Sequence, residues 1–255
     1  MTMINKNLLP HCFSFVFAII LIALLSNTTF AWEQMPGSAI DISISPEGDV
    51  YVLGTSHTQG GNSIFKWTED GWMELPGGGV SIAAASDGVL WLVDNRSHIY
   101  RFIEEGWQKM PGTASDIAVG HDGSVFITGG TRCNSGREIY KFIPPVGWTK
   151  IPGCGSKISV SPEGVPWVVN SKGEVFKYNN GGWSKLEGTA VKIVIGKNDE
   201  IWAIGATSCP GGHELFRYVD QGWVKMDGCA VDIGIAPDNT IWVINSKQEI
   251  FRKQF

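Results

Sequence analysis

Six tryptophans, Trp32, Trp72, Trp107, Trp148, Trp183 and Trp223, recur at spacings of 40, 35, 41, 35 and 40 residues, and each opens a self-similar segment. A repeat of this period is one supersecondary unit that cannot bury its own apolar face, so the units must stack into a solenoid or a closed propeller. Long and short units alternate, and the difference lies almost wholly in one loop: GTSHTQGGNSIF from Gly54, GTRCNSGREIY from Gly130 and GATSCPGGHELF from Gly205. The chain is therefore three tandem pairs.

One unit, WTKIPGCGSKISVSPEGVPWVVNSKGEVFKYNNGG, divides at its turns into four short strands, WTKIP, SKISVS, VPWVVN and EVFKY, a spacing typical of propellers and sandwiches. The second of these recurs with small residues (Ser43, Ala83, Ala118, Ser159, Gly234), which suit crowding at an axis. The third recurs as VYVL, LWLV, VFIT, PWVV, IWAI and IWVI. Apolar residues on both faces of a strand mean that both faces are covered. These features predict an all-β fold, a six-bladed β-propeller of four-stranded antiparallel blades. The first strand, Trp32 to Pro36, has no place in the first blade and is expected to pair with the last blade, closing the ring.

Residues 1–31 read as a secretory signal: Lys6 precedes the apolar run CFSFVFAIILIALL, with Thr29 and Ala31 at small-residue cleavage positions. The run is short for a bilayer helix, which needs roughly 20 residues, although a retained anchor is the alternative. Residues 32–255 then form the propeller, secreted to the outside or to a periplasm, with no membrane span of its own. A formal net charge of −5 argues against a general nucleic-acid binder, which needs a basic excess.

The pattern W-x-x-hydrophobic-P-G, then D-G-x-hydrophobic-W, then I-Y-R/K-aromatic is carried by WQKMPG (Trp107–Gly112), SDGVLWLV (Ser86–Val93) and IYRF (Ile99–Phe102). It resembles the tectonin repeat of six-bladed β-propeller lectins, among them the fish-egg lectins. The resemblance covers essentially all of the chain after the leader. It implies carbohydrate binding, with ligands held between blades.

Cys133 lies in the long loop of its unit and Cys154 six residues after Trp148; Cys209 and Cys229 repeat the two positions, whereas the first pair has Thr58 and Gly78 there. Joint presence twice and joint absence once predicts Cys133–Cys154 and Cys209–Cys229 disulfides, which suit an oxidising compartment. A zinc site is the competing reading, without a CxxC to favour it. Cys12 belongs to the leader.

Every turn between the second and third of these strands carries an acidic residue, from Glu47 to Asp238, so one rim is acidic. A calcium-loop reading of these turns lacks the D-x-D-x-D spacing. The opposite rim holds the cysteines with Arg96, Arg132, Arg137, Lys172 and Lys247, and His57, His98 and His213 nearby, and would steer an anionic partner to itself. On that side each short unit offers a tryptophan, an amide or carboxylate, and cations from the turn and the next strand. These are Trp91, Asp94 and Arg101; Trp167, Asn170, Lys172 and Lys177; and Trp242, Asn245, Lys247 and Arg252. An aromatic face beside polar side chains is the chemistry a pyranose needs. The plainer alternative makes the tryptophans interblade core. Basic residues recur between aromatics at Lys66, Arg101, Lys141, Lys177, Arg217 and Arg252; the reading preferred over ligand binding is structural, each cation stacking on a neighbouring tryptophan or pairing with Asp41, Asp116 or Asp232 of the inner strands.

No G-x-S-x-G, H-E-x-x-H or P-loop occurs, and the histidines do not recur in register. A multivalent, non-catalytic lectin for cell-surface or microbial glycans, lipopolysaccharide among them, and with no cofactor, is expected. A protein-interaction scaffold and a propeller lyase or hydrolase are the alternatives. Asn95-Arg96-Ser97 is an N-glycosylation sequon if the producing cell is eukaryotic.

Overall fold

The structure, a computed structural model, describes residues 31–104 and 106–255; the leader expected over residues 1–31 lies outside them except for Ala31. The described chain is all β apart from one 3-10 turn at Ser86–Gly88. Its strands form three seven-stranded antiparallel sheets, curled into a propeller-like ring.

Each sheet is organised around one long strand, Glu33–Ile44, Gly106–Val119 or Gly182–Ile195. The first part of Glu33–Ile44 pairs with Glu249–Gln254 through Glu33 opposite Arg252 and Met35 opposite Ile250. Its second part pairs with Val50–Thr58 through Ile42 opposite Val52. Between them the register shifts across Pro36 and Gly37, a bulge that bends the strand. One strand thus serves as the outer strand of one meander and the inner strand of the next. The N-terminal strand closes on the last unit as the repeat phase predicts, and Arg252 Nε donates to Glu33 Oε2 at 2.7 Å across that seam.

The core lies between successive units. Along Leu90–Val93, Leu90 and Leu92 pack with Tyr51, Leu53 and Ile64 of the unit before, whereas Trp91 and Val93 pack with Ile117 and Ile127 of the unit after. This alternation is the strand's period of two, read by two neighbours.

The repeated tryptophan pins each unit to the one before it. Trp72, Trp107, Trp148 and Trp183 donate their indole N–H to the carbonyls of Pro36, Pro76, Pro111 and Pro152 at 2.7, 2.6, 2.8 and 2.5 Å. Trp223 makes the same bond to Glu187 at 2.9 Å. The glycine that follows the proline lies under the ring: Gly77 has φ +104°, and a Cβ there would fall 2.5 Å from Trp107 Nε1. That double requirement, positive φ and no side chain, accounts for the glycine of the repeat. Trp32 packs likewise on Gly228 of the last unit.

At the axis, one register position of the inner strands carries Asp41, Ser81, Asp116, Lys157, Lys192 and Asp232. The three aspartates each accept the backbone N–H of the next unit, Ile82 at 2.8 Å, Ile158 at 2.9 Å and Ile42 at 3.1 Å. Lys157 pairs with Asp116 at 3.2 Å, and Lys192 pairs with both Asp232 and, at 3.5 Å, Asp41. Burial and the neighbouring Asp232 carboxylate push the Asp41 carboxyl well above its usual range.

Candidate functional site

The structure does not gather the side chains that the short units offer in sequence. Trp91, Trp167 and Trp242 are only 3%, 4% and 3% exposed and sit in the interunit core. The cations of the next strand lie opposite them in register and cover their faces: Arg101 over Trp91 at 5.6 Å, Lys177 over Trp167 at 5.2 Å, Arg252 over Trp242 at 5.6 Å. Lys66 over Tyr51 and Lys141 over Phe126 repeat the arrangement, and Arg217 pairs with Glu200 at 2.8 Å. The recurring cations are structural, and these tryptophans offer no ring to a sugar.

Asp94, Asn170 and Asn245 lie at the other end of their strands, roughly 10 Å from the tryptophans at ~3.3 Å per residue. They are occupied too. Asn170 Oδ1 accepts the N–H groups of Lys172 and Glu174 at 2.9 and 3.0 Å, and its Nδ2 donates to Glu174 Oε2 at 2.8 Å. Asn245 repeats this with Lys247 and Glu249. Such a side chain closes its own turn and has little left for a ligand. Lys172 and Lys247 remain exposed on the rim.

The cysteines pair as their positions predict, Cys133 with Cys154 and Cys209 with Cys229. Each bond ties the long loop of one unit to the strand leading into the next, so the cysteines are not metal ligands. Among the described residues no group of three His, Cys, Asp or Glu side chains is placed to hold a metal.

The first pair differs at this joint. A Cβ on Gly78 would lie 1.8 Å from Thr58 Oγ1, so the two positions point at each other with nothing to bond. Here a cleft of about 840 Å³ opens, walled by Gln59, Glu74, Arg96, His98, Trp107 and Lys109. The tandem pairs supply an internal control for its charges. In the fourth unit Lys185 is held by Glu174 at 2.6 Å; the equivalent lysine, Lys109, has His98 at the position of Glu174. In the third and fifth units Lys150 and Lys225 are held by Glu138 and Glu214 at 2.5 and 2.6 Å. The first unit has Glu74 and Ser63 at those positions. Among the described residues Lys109, Arg96 and Glu74 form no ion pair, so the cleft presents charges that elsewhere are spent within the sheet.

His98 Nδ1 lies 3.0 Å from Asp94 Oδ2, in place of the amide–glutamate contact of the other short units. Against burial, the N–H groups of His98 and Arg96, each 2.8 Å from Oδ1, hold the Asp94 carboxyl below its usual range. The imidazole is fixed by one nitrogen at the cleft. Gln59, Glu74, Trp107 and Lys109 are absent from the set read in sequence, which places His98 on this rim without a role as a ligand contact. Their signal was the break in repetition: no cysteine at Thr58 and Gly78, and histidine for glutamate at His98.

The ring and this single unlocked joint define a repeat protein of the propeller class. The Tectonin domain model matches residues 52–141 and 131–255, and the chain belongs to that family. A comparison with curated protein sequences returned no match. Solved structures of similar fold are distant in sequence. YCF48 bound to a D1 peptide is 14% identical with TM-score 0.57, over 91% of this chain and 98% of that one. A gluconolactonase from Xanthomonas campestris is 12% identical with TM-score 0.61, over 86% of each chain. A luciferin-regenerating enzyme is 10% identical with TM-score 0.61, over 89% of this chain and 95% of that one. Binding proteins and enzymes stand side by side in this set, so it speaks for the fold alone.

Proposed function

We propose that the chain is a secreted, non-catalytic lectin whose principal site is the cleft between its first two units. On this reading residues 1–31 are the leader and residues 32–255 a propeller of six four-stranded blades, in which each long strand is shared by two blades. The observation that carries the proposal is the unlocked joint: of three equivalent positions, only Thr58 and Gly78 lack a disulfide, and there the ion pairs of the other joints are also missing. Lys109 and Arg96 suit an anionic glycan such as the acidic part of a lipopolysaccharide, Trp107 offers an apolar edge, and Glu74 and Gln59 accept from hydroxyls. Lys172 and Lys247 extend the positive rim and speed encounter.

The test is to close the cleft with the device the protein uses elsewhere. The Thr58→Cys/Gly78→Cys variant should lose sugar-competable signal on a glycan and lipopolysaccharide array and regain it on mild reduction, with the unmodified protein under the same reductant as control. Unchanged binding by the oxidised variant would remove the cleft from the reading. A protein-interaction scaffold is the second reading; free sugar should not compete for its binding.

A further inference from the structure

The joints of the other kind, from a short unit to the following long one, carry two pockets in equivalent places. One, about 200 Å³, lies between the last and first units, and its twin, about 190 Å³, between the fourth and fifth. Their linings correspond residue by residue. Gly37, Val52, Phe65, Trp72 and Ile250 of one answer to Gly188, Ala203, Phe216, Trp223 and Val175 of the other. Hydroxyls stand at the mouths, Ser38, Thr55 and Ser56 in the first and Thr189 and Thr207 in the second, and no charged residue lines either. The third joint of this kind differs: Ile127 and Tyr140 replace the smaller Val52 and Phe65, and the Tyr140 hydroxyl donates to Glu138 at 2.6 Å.

The floors are dry. The indole N–H groups of Trp72 and Trp223 are already bonded, to Pro36 O at 2.7 Å and to Glu187 O at 2.9 Å, and the other floor groups are hydrocarbon. A hydroxyl carried to the floor would find no partner and would lose its hydration without return. A methyl group would lose nothing, while ring hydroxyls at the mouth meet the serine and threonine side chains. The volumes fall below the ~300 Å³ at which drug-sized ligands begin, so each pocket takes one small group.

From this geometry we propose that the twin pockets are two equivalent sites for a neutral 6-deoxyhexose, entered methyl first. The inference rests on the carbohydrate-binding reading above and adds an uncharged ligand class beside the anionic one of the cleft. The experiment uses methyl α-L-fucoside and methyl α-L-galactoside, which differ only by the hydroxyl at carbon 6. Calorimetry on the oxidised protein should give two sites for the fucoside and weaker binding of the galactoside by about tenfold to 100-fold. Ser56→Trp and Thr207→Trp, at exposed mouth positions, should each remove one site and together remove both. The Thr58→Cys/Gly78→Cys variant should retain both. Equal affinity for the two sugars, or fucoside binding that survives the double tryptophan variant, would overturn the assignment. If cleft-dependent binding of an anionic glycan persists in that case, the lectin reading stands without it; if no sugar binds at either place, both fail.

Discussion

Lys192 Nζ stands between Asp232, with which it pairs, and Asp41, 3.5 Å away, and so joins the last inner strand of the ring to the first. Five charged groups share this register: three carboxylates and two ammonium groups. Neutrality is reached when one carboxyl keeps its proton, and burial together with the Asp232 charge assigns that proton to Asp41.

The pH dependence follows in sign. Asp41 titrates higher folded than unfolded, so the folded chain binds the extra proton, and the stability this contributes falls as pH rises toward the raised value. Asp232 is held low by Lys192 despite its burial, so its contribution is present above the unfolded carboxylate value and is lost in acid. Asp41→Asn keeps an acceptor for Ile82 N–H and removes the titration. Its melting temperature should therefore fall less than that of the unmodified protein between mildly acid and alkaline buffer; parallel curves would refute the shared proton.

Lys192→Met leaves two aspartates facing each other without a cation. Breaking a largely buried ion pair in this way should cost about 3 kcal/mol, read as a lower denaturation midpoint at neutral pH.

Trp167 decides between core and ligand. At 4% exposure its replacement by alanine should destabilise by about 3–5 kcal/mol through the cavity left between units. A variant that unfolds normally but no longer binds glycan would contradict the burial of the ring.

Copying the fourth unit into the second tests the role of the free lysine. Asp94→Asn/His98→Glu recreates the Asn170–Glu174–Lys185 set around Lys109. Binding of an anionic glycan should weaken at least tenfold and lose much of its salt dependence, while an exposed ion pair of this kind adds under about 1 kcal/mol of stability. Unaltered affinity would show that Lys109 is not a ligand contact.

Each disulfide spans 20 or 21 residues. Replacing Cys133 and Cys154 together by alanine should cost about 3 kcal/mol on the chain-entropy account. Intact-mass measurement with and without reduction should find no free thiol among the four cysteines.

Much of the fold was legible because it is written several times. The Trp period gave the units, the small residues at Ser43, Ala83 and Gly234 gave the axis, and the paired absence at Thr58 and Gly78 gave the disulfides. Ring closure by Trp32–Pro36 followed from phase alone. The site was less legible because proximity in sequence is not proximity across a strand. Trp91 and Asp94 are three residues apart, yet one is sealed by Arg101 and the other turns back to His98. The cleft residues come from two units, and Glu74 and Lys109 acquire meaning only beside Lys150 and Lys185. Repetition identifies what a residue does for the fold; its interruption at His98 is what marked the cleft.

The seam at Glu33–Ile44 has a consequence for how the molecule is made. The strand that emerges early from the ribosome cannot complete its pairing until Glu249–Gln254 has been synthesised some two hundred residues later, since Glu33 and Arg252 are separated by 219 positions. Until then two sheet edges stand open to any strand nearby. An interrupted translation product would keep both edges, and a cell making this chain needs to hold or destroy such fragments before they find each other.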